Sequence, residues 1–376
     1  MRVAVIGAGV IGASVGWHLS RRGVDVLFLD RGEPGAGVSD WTFSWVNASN
    51  KTQTRDYFDL SVAGMSAHYR LAAQVGADGW WHPTGHVRWA DPGETTEALR
   101  ARISLLTSWG YDVVLWEAEQ VRRLLEPCVR FPTDDTPVAV YLREGWIDGR
   151  ALATKLVGDA LRHGARAVFG GAAREIVTAE GRVTAVVTSD AEHHRVDAVV
   201  NAAGPDGDKI AELVGRTLPM RYQPGLIAKL SCGHVPIQRT MHAPHVELRP
   251  AGHGQLLAHS RELDDGLVSH DRFPPELLEE LHARAVDALP VLAGSPVLGA
   301  RAVSRPIPAD GFPSVGAFDD VPGYYEAIAH SGITLAAVIG DVLACEIVDG
   351  EISPLIRPYR PGRLGTGAPA ASSTGE

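Results

Sequence analysis

The chain opens with a short apolar run over residues 3–6, a cluster of glycines, and a helical pattern in which Ala13, Trp17 and Leu19 recur among small residues. Two arginines and Gly23 close that helix, and a second apolar run over residues 24–29 ends in Asp30. The change of period predicts a strand-turn-helix-strand unit. Apolar spacing then predicts a long helix over Arg55–Val75, a strand pair in WWHPTGHVRWA bent at Pro83-Thr84-Gly85, and a helix over 95–109. A strand followed by a short helix is expected in VVLWEAEQVRRLLEPCV. From Gly145 a turn, an amphipathic helix and a strand return, followed by a β-meander that ends in the strand Ala198–Asn201 and the small residues Ala202-Ala203-Gly204-Pro205. From Leu218 the pattern turns β-rich, with strands over 223–230, 245–249 and 255–260 and a helix over 274–289. A strand in YYEAIAH precedes a last helix, which opens at Ser331-Gly332 and closes at Gly350.

The first unit carries chemistry. Gly7, Gly9 and Gly12 form G-x-G-x-x-G between strand and helix, around Ala8, Val10 and Ile11, and Asp30 ends the second strand. Gly7 permits the tight turn, Gly9 lets a pyrophosphate reach the free N–H groups of the helix N-terminus, and Gly12 lets helix and strand approach. Asp30 stands where an acid accepts hydrogen bonds from the adenosine ribose, which disfavours a 2′-phosphate. The motif in this context predicts a bound dinucleotide, and by itself leaves FAD and NAD both open.

Composition narrows the class. With 376 residues the chain is long enough for two domains, and 45% hydrophobic with 21% charged residues is ordinary globular composition. A net charge of −10 gives a nucleic-acid partner no electrostatic support. Cys128, Cys232 and Cys345 are widely spaced, which argues against a disulfide framework or a zinc knuckle and suits a reducing cytoplasm. No apolar run is long enough to span a membrane. His242-Ala-Pro-His245 is too loose a spacing for a metal, so no metal is expected.

The dinucleotide pattern occurs in three pieces, 1–78, 145–217 and 306–360, interrupted by 79–144 and 218–305, which read as a second domain. Residues 361–376, rich in Gly, Ala, Ser and Thr, read as a disordered tail. A discontinuous cofactor domain favours FAD over a simple NAD dehydrogenase. The loop after Asp30 is rich in Gly and Ser, and the hydroxyls of Ser39, Thr42 and Ser44 are candidate cofactor donors. Trp41, Phe43 and Trp45 would be costly as exposed aromatics, so a buried cofactor-side loop is expected.

Four blocks then resemble one family: VAVIGAGVIGASVGWHL with Asp30; GWIDGRALATKLVGDALRHGA with VVNAAGP; SRPIPADGFPSVGAF; and AHSGITLAAVIGDVLA. They resemble the FAD-dependent D-amino-acid oxidase, glycine oxidase and sarcosine oxidase family, from Arg2 to about Asp349. The resemblance implies an α/β fold with a Rossmann-like FAD-binding domain of the glutathione-reductase type and a β-rich α+β substrate domain. It implies FAD contacts from the first glycine turn, Asp30, Arg31, Ser39, Thr42, Phe43, Ser44, Ala173, Ala203, Gly204 and Asp310. Ser331, Gly332, Ile333 and Thr334 would start a helix whose N–H groups face the flavin N1–C2=O edge. No Cys lies in the 301–316 return and no His in 38–47, so the expectation is non-covalent FAD.

For the substrate, the resemblance points to Arg305, just before Pro306 and upstream of Asp310-Gly311-Phe312-Pro313, as the carboxylate-binding arginine, with Arg301 a weaker competitor. A guanidinium grips a carboxylate with two parallel hydrogen bonds. The strand 255–259, where relatives carry an oxygen-activating lysine, has His259 and no lysine, so Lys51 and Lys229 are the remaining lysine candidates. Trp45, His242 and His245 are expected at the substrate cavity. The implied activity is oxidation of an amine or amino-acid C–N bond to an imine by hydride transfer to flavin N5, with reoxidation by O2, giving H2O2, or by another acceptor. The alternatives are a flavin hydroxylase, or an FAD-holding subunit of a larger dehydrogenase complex. A monomer or homodimer is expected.

Overall fold

The computed structural model of the protein describes residues 1–90, 95–233, 237–267 and 272–364. A six-stranded sheet orders the strands Ser314–Ala317, Tyr324–Ile328, Ala198–Asn201, Arg2–Ile6, Asp25–Asp30 and Arg166–Phe169. Five run parallel, with Val3 opposite both Val26 and Ala198; Ser314–Ala317 adds an antiparallel edge. The central runs are continuous rather than alternating in polarity because layers of structure cover both sheet faces, and Val3, Ala4, Val5, Val26 and Phe28 have no exposed surface.

The helix Val10–Arg21 packs closely on this sheet and on the final helix Gly332–Asp349. Its small residues are required by the contact: a Cβ on Gly16 would come within 2.2 Å of the Phe28 ring, and one on Gly340 within 2.1 Å of Ser14 Oγ. The helix Gly149–Arg162 lies against its other side, where Trp17 Nε1 donates to Asp159 at 2.6 Å.

An eight-stranded sheet holds a separate core. Its order is Val297–Ser304, Pro224–Ser231, Gln255–His259, Val246–Pro250, Thr240–Ala243, His86–Trp89, Pro137–Tyr141 and Val113–Glu117. Neighbours are antiparallel except Thr240–Ala243 with His86–Trp89, a parallel pair that stitches together two distant stretches of the chain. Leu226, Leu248, Leu256 and Leu281 are fully buried beneath it.

Two local expectations need correction. Residues 81–82 and 86–89 do not form a strand pair: Trp81–His82 joins Gly145–Ile147 and Trp45–Val46 in a small sheet, whereas His86–Trp89 enters the large one. Their apolar residues serve different cores, Trp81 the first and Val87 and Trp89 the second, and Gly85 at φ +89° swings the chain between them. The expected disordered tail also begins too early. Arg363 donates to both oxygens of Asp310, at 2.9 and 3.1 Å, and Leu364 is buried near Ile328. Positions 365–376 lie outside the described residues. Among the described residues no helix is long and apolar enough to cross a membrane.

Candidate active site

The first glycine turn is built as its residue types require. Gly7 has φ +104°, and a Cβ there would meet Ala202 O at 2.3 Å; one on Gly12 would lie 1.9 Å from Gly7 O. No side chain larger than hydrogen fits either position. Val10, Ile11 and Gly12 form the first turn of the helix, so their N–H groups have no acceptor within it. Ser39 Oγ takes the Val10 N–H at 3.1 Å, which brings the loop after Asp30 against the turn. The Asp30 carboxylate accepts from Ala8 N at 2.6 Å and Gly32 N at 2.9 Å at the tip of its strand. Arg31 pairs with Asp206, just after Ala203 and Gly204, at 2.7 Å. Gly204 has φ +60°, and Ala203 and Ala173 pack in one apolar cluster with Leu29.

A cavity of about 760 Å³ opens between the two sheets. On one side it is lined by Thr42, Phe43, Ser44, Trp45, Asp310 and the first turn of the final helix; on the other by Arg305 and its neighbours. The final helix is anchored from several directions. Tyr57 OH donates to Ser331 Oγ at 2.8 Å, His68 Nε2 contacts Ile333 O at 2.8 Å, and Thr334 Oγ1 donates to Trp45 O while accepting from Asn47 N, both at 3.2 Å. The Gly332, Ile333 and Thr334 N–H groups therefore sit at a rigid, positively polarised helix end.

The loop opposite rests on Glu144, which has no exposed surface. Its carboxylate accepts from Trp45 Nε1 at 2.9 Å, Ser49 N at 3.1 Å and Tyr111 OH at 2.6 Å. Burial raises its pKa to about 7 against the pull of these donors.

Behind Arg305 lies a chain of buried charges. The Nη2 of Arg305 donates to Asp264, and His259 Nε2 lies 3.0 Å from the same Asp264 oxygen. His259 Nδ1 is 2.9 Å from Glu247, whose other oxygen is 2.7 Å from His242 Nε2. Asp264 also accepts from Leu226 N at 3.0 Å. One end of the Arg305 guanidinium is thus fixed by protein while the group lines the cavity. Lys51 lines the same cavity and is only 9% exposed; burial lowers its pKa to about 8.

His245 needs correction. It stands on an exposed turn at φ +65°, pairs with Glu262 at 2.9 Å, and does not line the cavity. A tight turn between antiparallel strands points its side chain outward, away from the face that Glu247 and His259 share. His242 lies behind Trp45 and Phe43, and Arg301 is likewise absent from the lining. Sequence reasoning missed Asp264, Glu247, Arg221, Arg261 and His330. His330 could have been found, since it stands inside the block AHSGIT; Glu247 was signalled only by being an acid on an inward strand position. Among the described residues no group of three His, Cys, Asp or Glu side chains is placed to hold a metal.

A parallel-sheet glycine turn with an acid at the next strand tip, and a second helix N-terminus that packs beside Ile11 and opens on a cavity, are the parts of a flavin-dependent oxidoreductase, and these residues fit FAD. The chain belongs to the DAO family, described as FAD dependent oxidoreductase, whose model matches residues 2–346. It is 27% identical to a glycine oxidase of Pseudomonas putida, over 97% of this chain and 99% of that one. Among solved structures it is similar to glycine oxidase from Geobacillus kaustophilus, at 20% identity and TM-score 0.84 over 96% and 99% of the two chains. L-proline dehydrogenase from P. horikoshii matches at 17% identity and TM-score 0.84, over 96% and 97%.

Proposed function

We propose that the protein oxidises the C–N bond of a carboxylate-bearing amine to an imine, which water then hydrolyses, with FAD held non-covalently. The observation that carries this reading is the position of Arg305: a guanidinium that lines the cavity shared with the final helix N-terminus, with one edge tethered by Asp264. Bound FAD supplies the hydride acceptor. Arg305 binds and orients the substrate carboxylate, and the tether removes the side-chain freedom that would otherwise be lost on binding. The N–H groups of Gly332, Ile333 and Thr334 offer stabilisation to negative charge that develops beside them. The loop from Thr42 to Asn47 gives the cavity an apolar wall, through the buried Phe43 and the half-buried Trp45. The glycine oxidase relative supports an amino-acid substrate, and the Gln255–His259 strand, lacking lysine, keeps an acceptor other than O2 in view.

The test is anaerobic bleaching of the purified yellow protein with a panel of amines and of D- and L-amino acids, followed by reoxidation with O2 or an artificial acceptor. Bleaching by an amine supports the reading. Bleaching only by an alcohol or by a reduced nicotinamide would overturn it in favour of other flavin chemistry. Acid precipitation that releases the colour into solution supports non-covalent FAD; colour retained in the pellet contradicts it.

A further inference from the structure

Four cationic side chains line the one cavity: Lys51, Arg221, Arg261 and Arg305. They act together on His330, which also lines it and keeps exposed surface: the surrounding protein first, then their combined charge, lowers its pKa. Opposing acids are fewer. Asp310, on the cavity wall, is taken by Arg363. Glu247 and Asp264 serve His242, His259 and Arg305, with Arg261 4.0 Å from Glu247 at the cavity mouth. Lys51 and Arg221 form no ion pair with a carboxylate among the described residues: the Lys51 ammonium lies 6.0 Å from the Tyr57 ring and feels Glu144 and Glu247 only from beyond contact distance, and Arg221 Nε donates to the Ala309 carbonyl at 2.6 Å. Burying an ammonium with no carboxylate in contact is costly, and for Lys51 burial outweighs the distant pull of Glu144 and Glu247, so an anion entering the cavity beside it would relieve that cost.

The cations come in two pairs. Arg221 is opposite Ile307, and Gln223 O accepts from Arg305 N, so Arg221 and Arg305 sit two residues apart on paired segments and share a side. Lys51 and Arg261 come from other segments, and after burial Arg261 is the strongest influence on Lys51. One carboxylate occupies one such pair. We propose that the substrate is an amine carrying two carboxylates, one bound by Arg305 with Arg221 and the other by Lys51 with Arg261. This rests on the amine reading above and adds the second anionic end.

Glutarate is a suitable probe, since it separates two carboxylates by a three-atom link and has no oxidisable nitrogen; butyrate is its single-carboxylate partner. Dissociation constants for the FAD-loaded protein are measured by calorimetry and by perturbation of the flavin absorbance. The expected result is glutarate at least tenfold tighter than butyrate in the wild type. In Lys51→Met that advantage falls to within about twofold while butyrate affinity holds. Arg261→Gln, at an exposed position, reduces the advantage without endangering the fold. Equal affinities in the wild type, or an advantage retained in both variants, would overturn the proposal. Substrate bleaching is scored separately: failure of every amine, with the glutarate preference intact, would remove the amine reading and leave the dianion site standing.

Discussion

Nε2 of His259 lies 3.0 Å from a carboxylate oxygen of Asp264, and Arg305 donates to that same oxygen. Both side chains reach Asp264 because Pro224–Ser231 pairs with the strand that carries His259 and with the strand that leads into Arg305, placing Ile227 opposite His259 and Pro224 opposite Ser304; Arg305 Nη2 and His259 Nε2 are themselves 2.8 Å apart. Burial pushes His259 towards neutrality, but Glu247 and Asp264 outweigh it and raise its pKa. Burial likewise opposes ionisation of Asp264 and Glu247, and their cationic neighbours hold both below the usual carboxylate range. Removing one partner leaves the others charged in a dry place. Asp264→Asn should therefore cost about 3 kcal/mol of unfolding free energy, checked by denaturant unfolding of the FAD-loaded protein.

The pH dependence of that cost follows from the signs. Asp264 and Glu247, depressed in the folded state, contribute stability above the ordinary carboxylate range, and it is lost as pH falls through their folded values. His259, raised, contributes stability below the ordinary histidine value, and it is lost as pH rises through its folded value. The gap between wild type and Asp264→Asn should be widest between those limits and narrow on both sides. A gap that does not vary with pH would mean the contact contributes through packing alone.

Gly12 separates the helix from the turn it follows. A methyl group there would lie 1.9 Å from the Gly7 carbonyl, in a turn whose Gly7 N–H is held by Leu29 O at 2.8 Å. Gly12→Ala should weaken FAD binding at least tenfold and yield a pale protein, read from the ratio of flavin to protein absorbance. Gly340→Ala, which crowds Ser14 at 2.1 Å on the side of the helix that faces Gly332–Asp349, should lose about 1–3 kcal/mol of stability through overpacking and keep more of its colour than Gly12→Ala.

Glu144 supports the cavity loop through Trp45, Ser49 and Tyr111. Its pKa of about 7 exceeds the unfolded value, so the folded state holds a proton that the unfolded chain releases, and stability falls as pH rises from the ordinary carboxylate range towards 7. The span is on the order of 3 kcal/mol. In Glu144→Gln the amide oxygen can serve Ser49 and Tyr111, but the NH2 faces the Trp45 indole N–H. That variant should lose about 1–3 kcal/mol near pH 5 and show a flatter stability profile between pH 5 and 8. Urea titrations at four pH values would reveal a parallel offset instead if Glu144 stays ionised throughout.

What the sequence disclosed and what it hid have physical reasons. The dinucleotide turn is local: strand, glycines, helix and Asp30 are contiguous, and period changes mark every boundary. The final helix was legible for the same reason, with Gly350 at φ +73° ending it. The charge network was not legible. Arg305 and Asp264 are 41 positions apart, and Lys51 and Arg261 meet one cavity from segments whose neighbourhood only the folded sheets create. The separation of residues 81–82 from 86–89 was hidden because both halves are equally apolar, and only the choice of core tells them apart.

The dianion site carries its own titration. Burial, reinforced by Arg261 and opposed by Glu144 and Glu247, sets the Lys51 pKa near 8, within reach of ordinary buffers, whereas a guanidinium stays charged throughout. If Lys51 must be charged to hold the second carboxylate, glutarate affinity should be constant below pH 8. Above it, affinity should fall by at most about tenfold per pH unit, since one proton is linked to one binding event, and level off near that of butyrate. Butyrate, seated on Arg305, should show no such break. Lys51→Arg should keep the glutarate preference and abolish its alkaline loss, because the positive charge persists while the titration is removed. A break that survives in Lys51→Arg would place the titrating group elsewhere, and a glutarate affinity flat to pH 10 in the wild type would remove Lys51 from the anion site.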